Sequence, residues 1–109
     1  MSKIEATENG SDKSVKRFEI LADGRPVLLV TIRPEDDDHD PWSCSLQAPG
    51  GRPIDGRGDE PLVAFADAHF VWDDVLPTPP MPWEEIEAAL ERVGAFEDPR
   101  ARWSGHVRL

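Results

Sequence analysis

The run Val27-Leu28-Leu29-Val30-Thr31-Ile32 carries no charge and is almost wholly β-branched or leucine. A helix buried on all sides would need about ten or more such residues, whereas six suit a strand of a sheet interior. The run follows Asp23-Gly24 and ends at Pro34, so it is bounded by a turn signal and a breaker. We read it as the central strand, with Leu28, Val30 and Ile32 on one side and Val27, Leu29 and Thr31 on the other, both sides to be covered by the rest of the chain.

The segments before and after it repeat the strand signal in a weaker form. In 15–21, Lys16, Phe18 and Ile20 alternate with Val15, Arg17, Glu19 and Leu21, which predicts a strand with one charged face. Asp23-Gly24 between the two patterns predicts a tight antiparallel hairpin, because both central positions of a type I′ turn take positive φ. Trp42, Cys44 and Leu46 alternate with Ser43, Ser45 and Gln47 and predict a third, half-buried strand. Residues 52–55 are compatible with a short fourth strand, which Pro53 would confine to a sheet edge.

From residue 59 the period changes. Asp59 is placed to cap a helix whose first turn holds Glu60 and Pro61. Leu62, Phe65, Ala66, His69, Trp72 or Asp73, and Leu76 fall at three- and four-residue spacings, so this stripe is expected on the sheet. Val63, Phe70, Val71 and Val75 are surplus to it, which predicts either a wide buried face or a second element packed alongside, the second helix being the obvious candidate. The prolines of Pro77-Thr78-Pro79-Pro80-Met81-Pro82 impose an extended strap. A second helix follows, with Glu84 and Glu85 in its first turn, Trp83, Ile86, Leu90 and Val93 as its apolar stripe, and Gly94 as its stop.

These elements make an α+β chain: an antiparallel three- to four-stranded β-meander with two helices packed on one face. We expect one domain over 14–98, a disordered polar tail at 1–13, and a basic tail at 99–109 with Arg100, Arg102, His106 and Arg108. The order of elements over residues 15–76, with Trp42-Ser43-Cys44 starting the third strand and Gly58-Asp59 opening a helix that carries Leu62, Phe65 and Ala66, resembles small bacterial domains of unknown function built as a β-meander followed by helices. That resemblance implies a fold and carries no activity, cofactor or site residue with it.

Charge narrows the functional classes. With 22 acidic and 12 basic residues the net charge is −10, which repels phosphate backbones and anionic lipids, so neither direct nucleic-acid binding nor membrane binding is expected. A single cysteine, Cys44, forms no internal disulfide, and no hydrophobic export segment opens the chain; a reducing, cytoplasmic location is the expectation.

No Gly-rich phosphate loop, nucleophile elbow or cofactor motif is present. The densest charge lies in Glu35-Asp36-Asp37-Asp38-His39-Asp40, read as an exposed loop. Alternating Asp36, Asp38 and Asp40 imitate a calcium loop, but Pro41 stands where glycine is needed and Gln47 where the closing glutamate belongs. His69 and Asp73, four apart on the first helix, share one face, and Cys44 is expected to be a small buried hydrophobe.

The sequence therefore reads as a non-enzymatic acidic binding module. It would be of the inhibitor or immunity type, docking on a basic protein through Asp36, Asp37, Asp38, Asp40 and Trp42, with Asp73 and Asp74 next, and needing no cofactor or metal. The alternatives are a metal-dependent hydrolytic enzyme using His69, Asp73 and the Asp36–Asp40 loop, and an accessory subunit docking on a larger assembly through Trp103 and the basic tail.

Overall fold

The computed structural model describes residues 3–11, 14–36, 38–76 and 80–97. Five strands form one antiparallel sheet in sequence order: β1 (Ile4–Glu8), β2 (Lys16–Ala22), β3 (Arg25–Pro34), β4 (Trp42–Gln47) and β5 (Ile54–Gly58). Two helices follow, α1 (Pro61–Val75) and α2 (Trp83–Arg92). The chain is thus α+β, and no helix among the described residues is long and apolar enough to cross a membrane.

The apolar run is the middle strand, as its composition requires. Leu28, Val30 and Ile32 are buried, and they meet Phe18 and Ile20 of β2 and Leu46 and Cys44 of β4 in register. The Asp23-Gly24 hairpin forms with both residues at positive φ, 52° and 81°. A tight two-residue turn alone would bring Phe18 and Ile20 opposite Leu29 and Val27, on the wrong parity for the core. A register shift beside Leu21, opposite Pro26, corrects this: Leu21 pairs with Pro26 but Ile20 with Leu28, leaving Val27 as the extra residue of a bulge. Val27 accordingly packs against the core instead of sharing the outer face with Leu29 and Thr31.

Four sequence expectations are corrected. The sheet has five strands, not three or four; the additional one, β1, lies in the segment expected to be a disordered tail. It is held by ladder pairing along β2 and by a reciprocal pair of bonds in which Asp23 N–H donates to Lys3 O and Lys3 N–H to Asp23 Oδ1, each 2.9 Å. Polar composition misses it because an edge strand needs only Ile4 and Ala6 to touch the core.

The helices do not share one roof over the sheet centre: α1 lies across β5, β4 and β3, whereas α2 lies against β1. The middle strand is consequently buried on one side only, its Leu29 and Thr31 being half-buried.

The third correction concerns the start of α1. Gly56 and Gly58 belong to a strand, not to a loop, and their lack of side chains lets the helix approach. A Cβ on Gly56 would collide with the backbone of Ala68 and Ala64, and one on Gly58 would lie 2.5 Å from Val63 Cγ1 and 2.7 Å from Ala64 N. Glu60, not Asp59, precedes the helix, without a side-chain cap, and Pro61 occupies its first turn.

Because small residues face small residues, the buried stripe of α1 is Pro61, Ala64, Phe65, Ala68 and Trp72. Leu62 and Leu76, expected inside, are outside, and α2 leaves Val63, Phe70 and Val75 exposed. In α2, Ile86, Ala89 and Leu90 are buried while Val93 is not. The helix ends as its glycine predicts: Gly94, at φ 76°, donates to Glu91 O and Ala95 N–H donates to Leu90 O.

Candidate functional site

The acids singled out from the sequence fall into two groups at opposite ends of the fold. The β3–β4 connection closes beside Trp42 and Gly58, where α1 begins, and α1 then runs about 18–20 Å away from it before reaching Asp73 and Asp74. Asp36 and Asp38 are exposed and Asp40 is half-buried; Asp37 lies outside the described residues, as do the basic tail with Trp103 and the strap residues 77–79. Trp42 is 5% exposed and belongs to the core, which removes it as a partner contact. It starts β4 on the inward parity, directly opposite Gly58.

His69 and Asp73 both contact Trp83 of α2. Asp73 Oδ1 accepts a 2.8 Å hydrogen bond from Trp83 Nε1, while the His69 ring stacks on Trp83 at 5.0 Å and meets Phe65 edge-on at 5.2 Å. The pair expected to meet each other is thus joined through a tryptophan from α2, and His69 Nδ1 is buried with no hydrogen-bond partner among the described residues. Among the described residues no three His, Cys, Asp or Glu side chains are grouped so as to hold a metal ion. Cys44 is fully buried, and burial pushes its thiol far up from the ordinary value, away from thiolate chemistry.

Two surfaces stand out instead. On α1, residues three, four and seven apart share the outward face. Phe70 is 72% exposed there, with Val63 two turns before it, Asp67 one turn before it, and Asp73 and Asp74 one turn after. Asp67 Oδ2 accepts from the backbone N–H of Arg57 at 2.9 Å, so it also closes part of the β5 edge. At the start of α1, exposed Leu62 joins Phe96, Glu91 and Glu97 around a groove of about 320 Å³ between the two helices.

The second surface is the open face of the sheet. Ladder register places Arg33, Ser43 and Arg57 in one row across β3, β4 and β5, and Arg17, Thr31, Ser45 and Asp55 in the next row across β2 to β5. Glu35 folds back over the first row: its Oε2 accepts from Ser43 Oγ at 2.8 Å and Arg33 Nε at 2.9 Å, and its Oε1 lies 3.6 Å from Arg57 Nη2. The Ser43 hydroxyl first, and then Arg33, hold the Glu35 carboxyl below its ordinary value. Glu35 N–H also donates to Pro41 O at 2.7 Å, pinning both ends of the acidic loop.

None of Arg17, Arg33, Glu35, Ser43 and Arg57 was singled out from the sequence. The signal was present in strand parity, since Arg17 and Ser43 lie on the faces opposite Phe18 and Cys44. Glu35 was hidden in the acidic run that follows it. Comparison with known proteins found no matching family model, no matching curated protein and no matching solved structure.

Proposed function

We propose that this chain is a non-enzymatic acidic binding module that docks on a basic protein partner, in the manner of an inhibitor or immunity protein. The observation that carries the reading is the outer face of α1, where the 72%-exposed Phe70 stands among Asp67, Asp73 and Asp74 in a chain of net charge −10. An aromatic ring that contributes nothing to the core is an anchor awaiting a pocket, since such anchors dominate interface energies, and the surrounding carboxylates select and steer a cationic partner. The groove by Leu62, Phe96, Glu91 and Glu97 offers a second place for a basic side chain, apolar below and acidic at its rim. The exposed Asp36 and Asp38 add long-range attraction from the far end of the molecule. In this reading Phe70 takes the place that the sequence expectation gave to Trp42, and Asp73 and Asp74 are proposed as before.

The test is affinity capture from native lysate with the wild type, Phe70→Ser, and the double variant Asp67→Asn with Asp74→Asn. A captured protein of basic charge whose retention falls with salt, and which both variants lose by at least tenfold, supports the reading. Capture of neutral or acidic proteins only, held equally by all three chains at any salt, overturns it.

A further inference from the structure

We infer that the open face of the sheet is a binding site for a small organic acid, with Arg17, Arg33 and Arg57 as its cationic side and the hydroxyls of Thr31 and Ser45 as its floor. Three arginines on β2, β3 and β5 of one sheet face are an unfavourable arrangement for stability alone. Arg17 pairs with Thr31, so Arg33, two residues further on, is its diagonal neighbour at about 7–8 Å, and like charges at such positions repel. In a chain with nearly twice as many acids as bases, they nevertheless meet in one depression of about 400 Å³.

That depression carries three positive charges against the two negative charges of Glu35 and Asp55, the reverse of the whole molecule. Glu35 itself shows what the site holds: a carboxylate that takes Ser43 Oγ and Arg33 Nε on one oxygen and faces Arg57 with the other. The planar guanidinium fork suits a second carboxylate in the same way. Arg17 is positioned to receive it, being fixed by one bond from Nη1 to Gly10 O at 3.0 Å while its backbone N–H is held by Ser11 Oγ.

The lining also limits what the acid can be. Among the described residues no aromatic side chain lines the depression, so these offer neither a nucleobase nor a sugar ring a stacking platform. The hydroxyls and the amide of Gln47 instead provide hydrogen-bonding groups for a small polar body with one or more carboxylates. None of these residues belongs to the α1 face proposed for a basic partner, so the two readings stand or fall separately.

The test is a titration of the labelled full chain with citrate and, separately, succinate, inorganic phosphate and sodium chloride at equal ionic strength, followed by backbone amide shifts. A saturable citrate or succinate response centred on Arg17, Thr31, Ser45 and Arg57, weakened at least tenfold in the Arg17→Gln, Arg57→Gln double variant, is the expected result. The spectrum of that variant reports its fold, and the single Arg17→Gln variant, expected to weaken binding about threefold or more, serves if the double variant is not native.

A response that is as strong with chloride, that centres elsewhere, or that persists undiminished in a folded variant overturns the inference. A stronger response to phosphate than to either acid overturns the assignment to carboxylates.

Discussion

The covered and open faces of the sheet are made by alternate residues of the same strands, and they obey different rules. On the covered face, Phe18, Ile20, Leu28, Val30, Ile32, Cys44 and Leu46 meet α1 and α2 in one continuous core, and where the helix comes nearest the strand gives up its side chains at Gly56 and Gly58. On the open face, Arg17, Thr31, Arg33, Ser43, Ser45 and Arg57 lie at the same strand spacing, held by hydrogen bonds and ion pairs that water can enter. Shape decides what the first face tolerates, because close-packed interiors transmit every added atom. Charge and hydrogen bonding decide how the second face is arranged, and its partly exposed ion pairs add little to stability. Substitutions that respect one rule and violate the other separate the two.

The largest expected effect is at Gly56. An alanine there places its Cβ against the backbone of Ala64 and Ala68, which no rotamer change can relieve, so α1 must lift from β5. Gly56→Ala is expected to cost about 3 kcal/mol or more, read by urea denaturation. A loss below about 1 kcal/mol would mean that the helix–sheet spacing is not set by glycine, and the contrast between the faces would fail at its strongest point.

How much of this was legible in the sequence follows the same division. Strand parity and the Asp23-Gly24 turn depend on neighbours in the chain, and β2, β3 and β4 appear with the inward residues that alternation assigns them. The register shift at Leu21 was not legible, because it is imposed by the need to align two apolar stripes that belong to different strands.

The face of α1 was misassigned for a related reason: bulk argued for Leu62 and Leu76 inside, whereas the glycines of β5 select Ala64 and Ala68. The site was the least legible part. Glu35, at the head of a run of aspartates, has a different role from them only because Ser43 and Arg57 arrive beside it from two other strands.

An intermediate effect is expected on the open face. Ser43→Ala removes the hydroxyl from the Glu35 carboxylate and is expected to cost about 1 kcal/mol, a hydrogen bond to a charged group in a partly hydrated setting. The pH dependence sharpens the assignment to Glu35. Its carboxyl is held below the ordinary glutamate value in the folded protein, by the Ser43 hydroxyl first and then Arg33, so its contribution is complete above that ordinary value and is lost as pH falls through the lowered folded-state value. Thermal melts of wild type and Glu35→Gln are therefore expected to differ at neutral pH and to converge on acidification below the ordinary glutamate range. A gap that stays constant down to the acid limit would show that Glu35 acts through shape, as a residue of the covered face would.

The smallest effect on stability is expected at Phe70, although it is the largest side chain in the exposed apolar set. On the covered face a phenylalanine such as Phe65, fully buried and in contact with Trp83 and Phe96, is worth about 3–5 kcal/mol when cut to alanine. Phe70, on the same helix and of the same chemistry, keeps 72% of its surface in water, so its truncation removes almost no packing. Phe70→Ser is expected to leave the unfolding free energy within about 0.5 kcal/mol of wild type. If calorimetry instead finds a loss comparable to that of Phe65→Ala, the ring is packed against the protein in solution, and the outer face of α1 belongs with the core it was contrasted with.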